Sequence, residues 1–146
     1  MSVVSFLLLI SGLKKSRKMV KYRSHPGLNK RMPNYDVRLG MGLHMGYCIE
    51  GALGSFYKID PTYLSPHVKM SERLESSTKV FGVPILISEP LYKHLSHKTQ
   101  TYVRPVDWVI FSGQTIPMKL YTIDVDPSKI ELEKPLKYQT YKEQKL

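Results

Sequence analysis

Apolar and polar residues alternate from Val37 to His44, and this period of two predicts a β-strand. The apolar side chains would share one face of the strand, whereas Arg38, His44, Gly40 and Gly42 would lie on the other. Glycine inside a strand costs conformational entropy. We therefore expect another backbone, a ligand or a partner chain to approach this face closely.

The N-terminal residues show helical periodicity instead. From Val4 to Tyr22, apolar residues recur at helical spacing opposite lysines and arginines, which predicts an amphipathic helix that bends or frays at Gly12. Its basic side would face solvent, with an anionic membrane surface as the alternative. The apolar run Val3–Ile10 is about half the length that spans a bilayer and lacks signal-sequence flanks, so a buried helix is predicted. Residues 23–36 predict a loop.

A second helix is predicted from Pro66 to Val80, with signals at both ends. Ser65 can cap its first turn, Pro66 suits the first helical position, and Gly82 can end the helix. The apolar run 83–87 predicts a buried strand, and Trp108 is predicted to be a packing anchor. The other predicted elements are strands at 47–50, 56–63, 101–111 and 116–125 and a short helix at 89–95.

A length of 146 residues and a hydrophobic share of 42% favour one folded domain. The 22 cationic residues exceed the 12 anionic ones, which favours a nucleotide, acidic lipid or nucleic acid as partner, with solvated charge as the alternative. Nucleic acid ranks lowest, because no zinc-finger spacing or RNA-binding strand motif is present. The single cysteine, Cys48, excludes an intrachain disulfide, fits a reducing compartment and is predicted to be a small core residue.

Four motifs occur in the order that is typical of one enzyme family. They are VRLGMGLHMG at Val37–Gly46, EGALGS at Glu50–Ser55, VKMSERLE at Val68–Glu75 and GVPILIS at Gly82–Ser88. With these motifs the chain resembles the catalytic domain of the class III nucleotidyl cyclases, the adenylyl and guanylyl cyclases. Lys58–Asp60 and Tyr63–Pro66 resemble the protist branch of that family most. His44 belongs to the family strand and is predicted to be a packed structural histidine.

The resemblance implies an α+β fold, namely part of a ferredoxin-like palm domain with an antiparallel sheet and helices on one face. It divides the chain into an N-terminal amphipathic helix and loop at 1–36, the C-terminal part of a cyclase catalytic domain at 37–126, and a mobile tail at 127–146. It also implies a cytoplasmic location, and derivation from a larger membrane-attached protein stays open.

The resemblance further implies conversion of a nucleoside triphosphate, ATP or GTP, into its 3′,5′-cyclic monophosphate for intracellular signalling, with Mg²⁺ or Mn²⁺ as cofactor. Arg73 matches the catalytic arginine that stabilises phosphate charge in the transition state, and Thr62 falls at the base-reading position. Lys69 stands where the family has a ribose-orienting asparagine, and it cannot accept a hydrogen bond from a ribose hydroxyl. Glu72 places negative charge beside Arg73.

The same resemblance implies an incomplete active site. In the family, the metal-binding carboxylates precede the helix that begins near Val4, and Asp36, Glu50 and Asp60 stand in no metal-binding pattern. We therefore expect no metal ligands in this chain, no activity from the chain alone, and pairing with another cyclase domain in a head-to-tail dimer. A fragment or pseudoenzyme of the family is one interpretation; a non-catalytic module that pairs with and regulates an intact cyclase is the alternative.

Overall fold

The computed structural model describes residues 2–124, 126, 129 and 130, which form helices and two β-sheets. The helices are α1 (Ser2–Lys15), α2 (Arg17–Arg23), α3 (Pro26–Arg31), α4 (Pro66–Phe81), α5 (Glu89–Lys93) and α6 (His97–Gln100). The strands are β1 (Met41–Leu43), β2 (Ile49–Gly54), β3 (Ile59–Leu64), β4 (Ile85–Ser88), β5 (Val103–Val109) and β6 (Met118–Ile123). The predicted α+β class is confirmed.

The main sheet is mixed rather than wholly antiparallel, which corrects the expectation from the sequence. Its strand order is β1-β4-β6-β5. β1 runs parallel to β4, with Gly42 opposite Leu86, whereas the β4–β6 and β5–β6 pairs are antiparallel. A parallel pair needs a long crossover between its strands. Here the β2–β3 hairpin and α4 provide that crossover.

Helices cover both faces of the main sheet, so the predicted arrangement with helices on one face is wrong in this detail. On one face, Val3 and Ile10 of α1 pack with the β4 side chains of Ile85 and Ile87. On the other, α4 packs against Leu86 and its neighbours. All four residues of β4 are buried, as expected of a strand that is covered on both sides.

Helix α4 has the ends that the sequence predicts. The Ser65 hydroxyl accepts a hydrogen bond from the His67 amide, and Gly82 ends the helix in the left-handed conformation with φ of 66°. The expected close approach at the strand glycines is also confirmed. A Cβ on Gly42 would lie 2.2 Å from the Ser71 carbonyl oxygen, so the backbone that approaches β1 is α4 itself.

Several element boundaries differ from the predictions. The N-terminal helix breaks at Ser16, and Gly12 lies inside α1. The predicted loop contains α3, where Pro26 in the first turn favours helix initiation. β1 covers only three of the predicted strand residues. β3 continues through Pro61, which a two-stranded sheet tolerates because each strand is an edge.

Two predicted core residues lie at the surface. Cys48 is exposed, since it immediately precedes the β2–β3 hairpin, which lies outside the main sheet. Trp108 is 59% exposed on the edge strand β5, with the Lys119 Nζ atom 5.6 Å from its ring centroid. Among the described residues, no helix is long and apolar enough to cross a bilayer. The predicted tail at 127–146 lies outside the described residues, apart from 129 and 130.

Candidate functional site

The β2–β3 hairpin, residues 49–64, presents large apolar side chains to solvent. Its strands pair in register from Ile49 with Leu64 to Gly54 with Ile59. At the turn, Phe56 is 98% exposed and Tyr57 is 94% exposed. Ile49, Leu53, Ile59, Tyr63 and Leu64 are exposed too. An exposed apolar surface of this kind is typical of a binding face.

Arg73 lies on the exposed side of α4, the helix that follows the hairpin in the chain. Its Nη1 atom donates a hydrogen bond to the Ser112 carbonyl oxygen at 2.7 Å, which ties the guanidinium to the β5–β6 connection. Lys69 precedes Arg73 by one helical turn and is also exposed, with no side-chain partner among the described residues. The two cations therefore stand together on one side of α4.

Thr62 lies on β3 and is half-buried. Its Oγ1 atom donates a hydrogen bond to the Asp60 carbonyl oxygen at 3.2 Å. The three residues that the sequence singles out thus occupy two consecutive elements, the hairpin and α4. None of them lines the concavity that lies beside the start of α4.

That concavity has a volume of about 480 Å³ and lies between the start of α4, α5 and the β5–β6 connection. His44, His67, Met70, Glu89 and Lys93 line it together with residues 113–118. Glu89 forms an ion pair with Lys93 at 2.8 Å, and this hydrogen bond lowers the pKa of Glu89. The two charges nearest this opening therefore balance each other.

His67, His44 and the buried Ser88 form a hydrogen-bonded chain, of which the two histidines line the concavity. The His44 Nδ1 atom lies 2.7 Å from the Ser88 hydroxyl, and its Nε2 atom lies 2.8 Å from His67 Nδ1. Burial, and then the neighbouring His67, lower the pKa of His44. His44 is thus the packed histidine that the sequence predicts. The role of His67 was not predicted from the sequence. Gly46 was an available signal, because a Cβ atom on Gly46 would lie 2.1 Å from the His67 ring.

The described carboxylates are distributed over the surface, and five of them form ion pairs with nearby lysines or arginines. Asp36 pairs with Arg23, Asp60 with Lys58, Glu75 with Lys79, Glu89 with Lys93, and Asp124 with Arg104. Within the described residues, no group of three or more metal-ligating side chains converges. The described residues therefore offer no such group to the divalent cations that the resemblance implies.

No family model matches the chain. Among curated proteins, the chain is similar to an adenylate cyclase from Anabaena cylindrica, with 32% identity over 71 residues. The matched stretch covers 49% of this chain and 14% of that relative. The chain therefore spans only a small part of the curated relative that it matches.

Parts of this chain are similar to solved structures of adenylyl cyclases. A bacterial light-regulated adenylyl cyclase matches 58% of this chain and 23% of its own chain, with a TM-score of 0.50 and 26% identity. Adenylate cyclases from Trypanosoma brucei match 84% of this chain with a TM-score of 0.45 and 16% identity, and 53% of their own chain is covered. The particular resemblance of this chain to the protist branch of the family stays a prediction.

Proposed function

We propose that this chain carries part of a class III nucleotidyl cyclase domain, and that residues 37–126 supply half of a nucleotide-cyclising site when they pair with another cyclase domain. In the reaction, the ribose 3′-oxygen bonds to the α-phosphorus, the bond to the bridging oxygen breaks, and pyrophosphate leaves. The 3′-hydroxyl proton is released. The observation that carries the proposal is the exposed Arg73 on α4, within a fold and sequence similar to adenylyl cyclases.

Arg73 suits the role of a phosphate ligand. Its guanidinium is planar, permanently charged and exposed, and its partner in this chain is a neutral carbonyl oxygen. A phosphate oxygen is a stronger acceptor, because it carries negative charge and phosphate can pair with the guanidinium through two parallel hydrogen bonds. Arg73 would therefore release the Ser112 carbonyl oxygen and bind the triphosphate instead. Thr62 is proposed as the residue that meets the base.

The exposed hairpin supports pairing with a second domain. A two-stranded hairpin by itself is marginally stable in water. A partner surface that buries Phe56, Tyr57 and Ile59 would be stabilised on the hairpin by the removal of their apolar area from water. Cyclase homology also supports pairing with another cyclase domain. The hairpin is followed at once by Ser65 and α4, so docking the hairpin would bring Arg73 near the partner.

Two features support inactivity of the chain alone. Lys69 has no acceptor atom for a ribose hydroxyl, so one positioning contact of the family is lost. Two carboxylates of the site region, Asp60 and Glu75, are paired with lysines of this chain. Cyclase homology implies a metal dependence for the family in general. We propose that the partner domain supplies the metal-binding carboxylates.

The experiment mixes the purified chain with a cyclase domain that keeps its metal carboxylates but has alanine at its own position matching Arg73. Cyclic nucleotide is measured with ATP and GTP, in Mg²⁺ and in Mn²⁺. We expect no product from either component alone and product from the mixture. Product from the chain alone would contradict the claim of inactivity, and a silent mixture in which the two proteins bind each other would contradict the half-site.

The exposed aromatic residues of the hairpin, together with Lys69, also favour a second function, that of a non-catalytic module which pairs with and regulates an intact cyclase. In that case the chain changes the rate of an intact partner, and Arg73→Ala leaves this change as it was. The half-site proposal predicts instead that Arg73→Ala abolishes product from the mixture with the arginine-deficient partner. One pair of assays therefore separates the two functions.

A further inference from the structure

Positive charge is concentrated in one segment, residues 14–38, named here the basic segment. It holds nine of the 22 cationic residues of the chain and one carboxylate, for a net +8 of the total +10. It spans the end of α1, α2, α3 and the residues that lead to β1. All nine cationic residues are exposed: Lys14, Lys15, Arg17, Lys18, Lys21, Arg23, Lys30, Arg31 and Arg38.

Contacts with other described residues account for few of these charges. Arg23 pairs with Asp36 at 2.7 Å, and Lys15 donates a hydrogen bond to the Ile130 carbonyl oxygen. For the other seven, no carboxylate among the described residues lies within ion-pair distance. Such a cluster repels itself unless an anionic partner binds.

Helix stability does not explain the cluster either. Lysine and arginine in a last turn stabilise a helix through its dipole, as Lys21 and Arg23 do in α2. Arg17 and Lys18, however, lie in the first turn of α2, where positive charge is unfavourable. These two charges therefore destabilise α2, and an anionic partner that binds them would offset this loss of stability.

The apolar residues of the basic segment indicate which anionic partner fits. Val20 is 52% exposed, Tyr22 is 50% exposed and Met32 is 60% exposed, each within two residues of a cation. A membrane surface accepts both kinds of side chain, because lysines and arginines meet the head groups while apolar groups enter the interface. A nucleic-acid phosphate backbone offers no such place for exposed aliphatic side chains.

We propose that the basic segment binds the surface of a membrane that contains anionic phospholipid. The cations would meet the phosphate and carboxylate groups of the lipids, and the exposed apolar side chains that lie beside them would enter the interface. This inference is independent of the proposed cyclase half-site, because it does not use Thr62, Lys69 or Arg73. It describes attachment to a surface and needs no membrane-spanning helix.

The test is cosedimentation of the full chain with vesicles of phosphatidylcholine alone or mixed with phosphatidylserine. We expect binding to the mixed vesicles that weakens as salt is added. One variant replaces Lys14, Arg17, Lys18 and Lys21 with glutamine. Each juxtamembrane cation contributes about fivefold to partitioning, so this variant should bind the mixed vesicles several hundredfold more weakly, an order-of-magnitude expectation.

A matched variant separates the segment from overall charge. Replacing Lys58, Lys79, Lys93 and Lys98 with glutamine leaves the same net charge, +10 less four or +6, as the first variant. We expect this control to lose less than about fivefold, since its cations lie outside the basic segment. Equal losses in both variants would contradict the inference, and so would equal binding to neutral vesicles.

Two further outcomes keep the inference testable. If the fourfold variant does not fold, as judged by circular dichroism, the double variant Arg17→Gln/Lys18→Gln replaces it. This pair should weaken binding by about 25-fold without destabilising α2, because both cations oppose the helix dipole. Binding to duplex DNA without binding to mixed vesicles would overturn the proposal in favour of a nucleic-acid surface.

Discussion

The contact between β1 and α4 predicts a large effect of one added methyl group, at Gly42. In Gly42→Ala, the Cβ atom would lie 2.2 Å from the Ser71 carbonyl oxygen, 2.4 Å from the Glu75 nitrogen and 2.8 Å from the Leu74 Cβ. Ordinary contact begins near 3.4 Å, so α4 would have to retreat by about 1 Å. The obstructing atoms belong to the helix backbone and a Cβ, and a rotamer change cannot move them.

A retreat of α4 would loosen the packing of Met70, Leu74 and Thr78, which it contributes to the core. Overpacking against atoms that cannot rotate away should cost about 3 kcal/mol, at the upper end of the usual range. In urea denaturation, that lowers the midpoint by about 2 M for a slope typical of small domains. Gly51→Ala is the matched control, because no atom lies within 4 Å of its added Cβ. The control should stay within about 0.5 kcal/mol of the original chain. Equal midpoints for the two variants would refute the close packing of β1 on α4.

Three further predictions concern the core, the histidine pair and the hairpin. Leu74→Ala should lower the free energy of unfolding by about 2–5 kcal/mol, because the side chain is fully buried; a loss below about 1 kcal/mol would contradict its place in the core. The lowered pKa of His44 means that the unfolded chain binds more protons, so stability should fall as pH drops below about 6.5 towards the folded-state pKa. In urea titrations, His44→Gln should lose less stability over that pH window than the original chain. An unchanged dependence of stability on pH would contradict the lowered pKa of His44. Phe56→Ser/Tyr57→Ser should leave the melting temperature unchanged, since both side chains are exposed. The same variant should bind a partner cyclase domain about tenfold more weakly, or weaker still, in calorimetry. Unchanged affinity would place the interface elsewhere.

Elements with local signals could be predicted from the sequence. Helix α4 is fixed by Ser65, Pro66 and Gly82, whose preferences depend on backbone conformation within a few residues. The buried strand β4 follows from a continuous apolar run that only two-sided burial explains. The glycines of β1 correctly indicated a close approach, although the pattern did not say whether a backbone, a ligand or a partner chain would make it.

Features set by distant contacts could not be predicted in the same way. The parallel pairing of β1 with β4 depends on the crossover, and no residue in either strand encodes its direction. Cys48 and Trp108 have core-like chemistry but lie beside an isolated hairpin and on a sheet edge. The bond from Arg73 to Ser112 joins residues 39 positions apart, so only the folded chain shows it.

The central claim is that Arg73 acts on a nucleotide held between two domains. The most direct measurement is the initial rate of cyclic nucleotide formation by the mixture with the arginine-deficient partner, comparing Arg73→Ala with Lys79→Ala on the same helix. Loss of the charge that stabilises the transition state should lower the rate by about a hundredfold or more, whereas Lys79→Ala should keep it within about twofold. Equal rates for the two variants, at equal binding to the partner, would contradict the account.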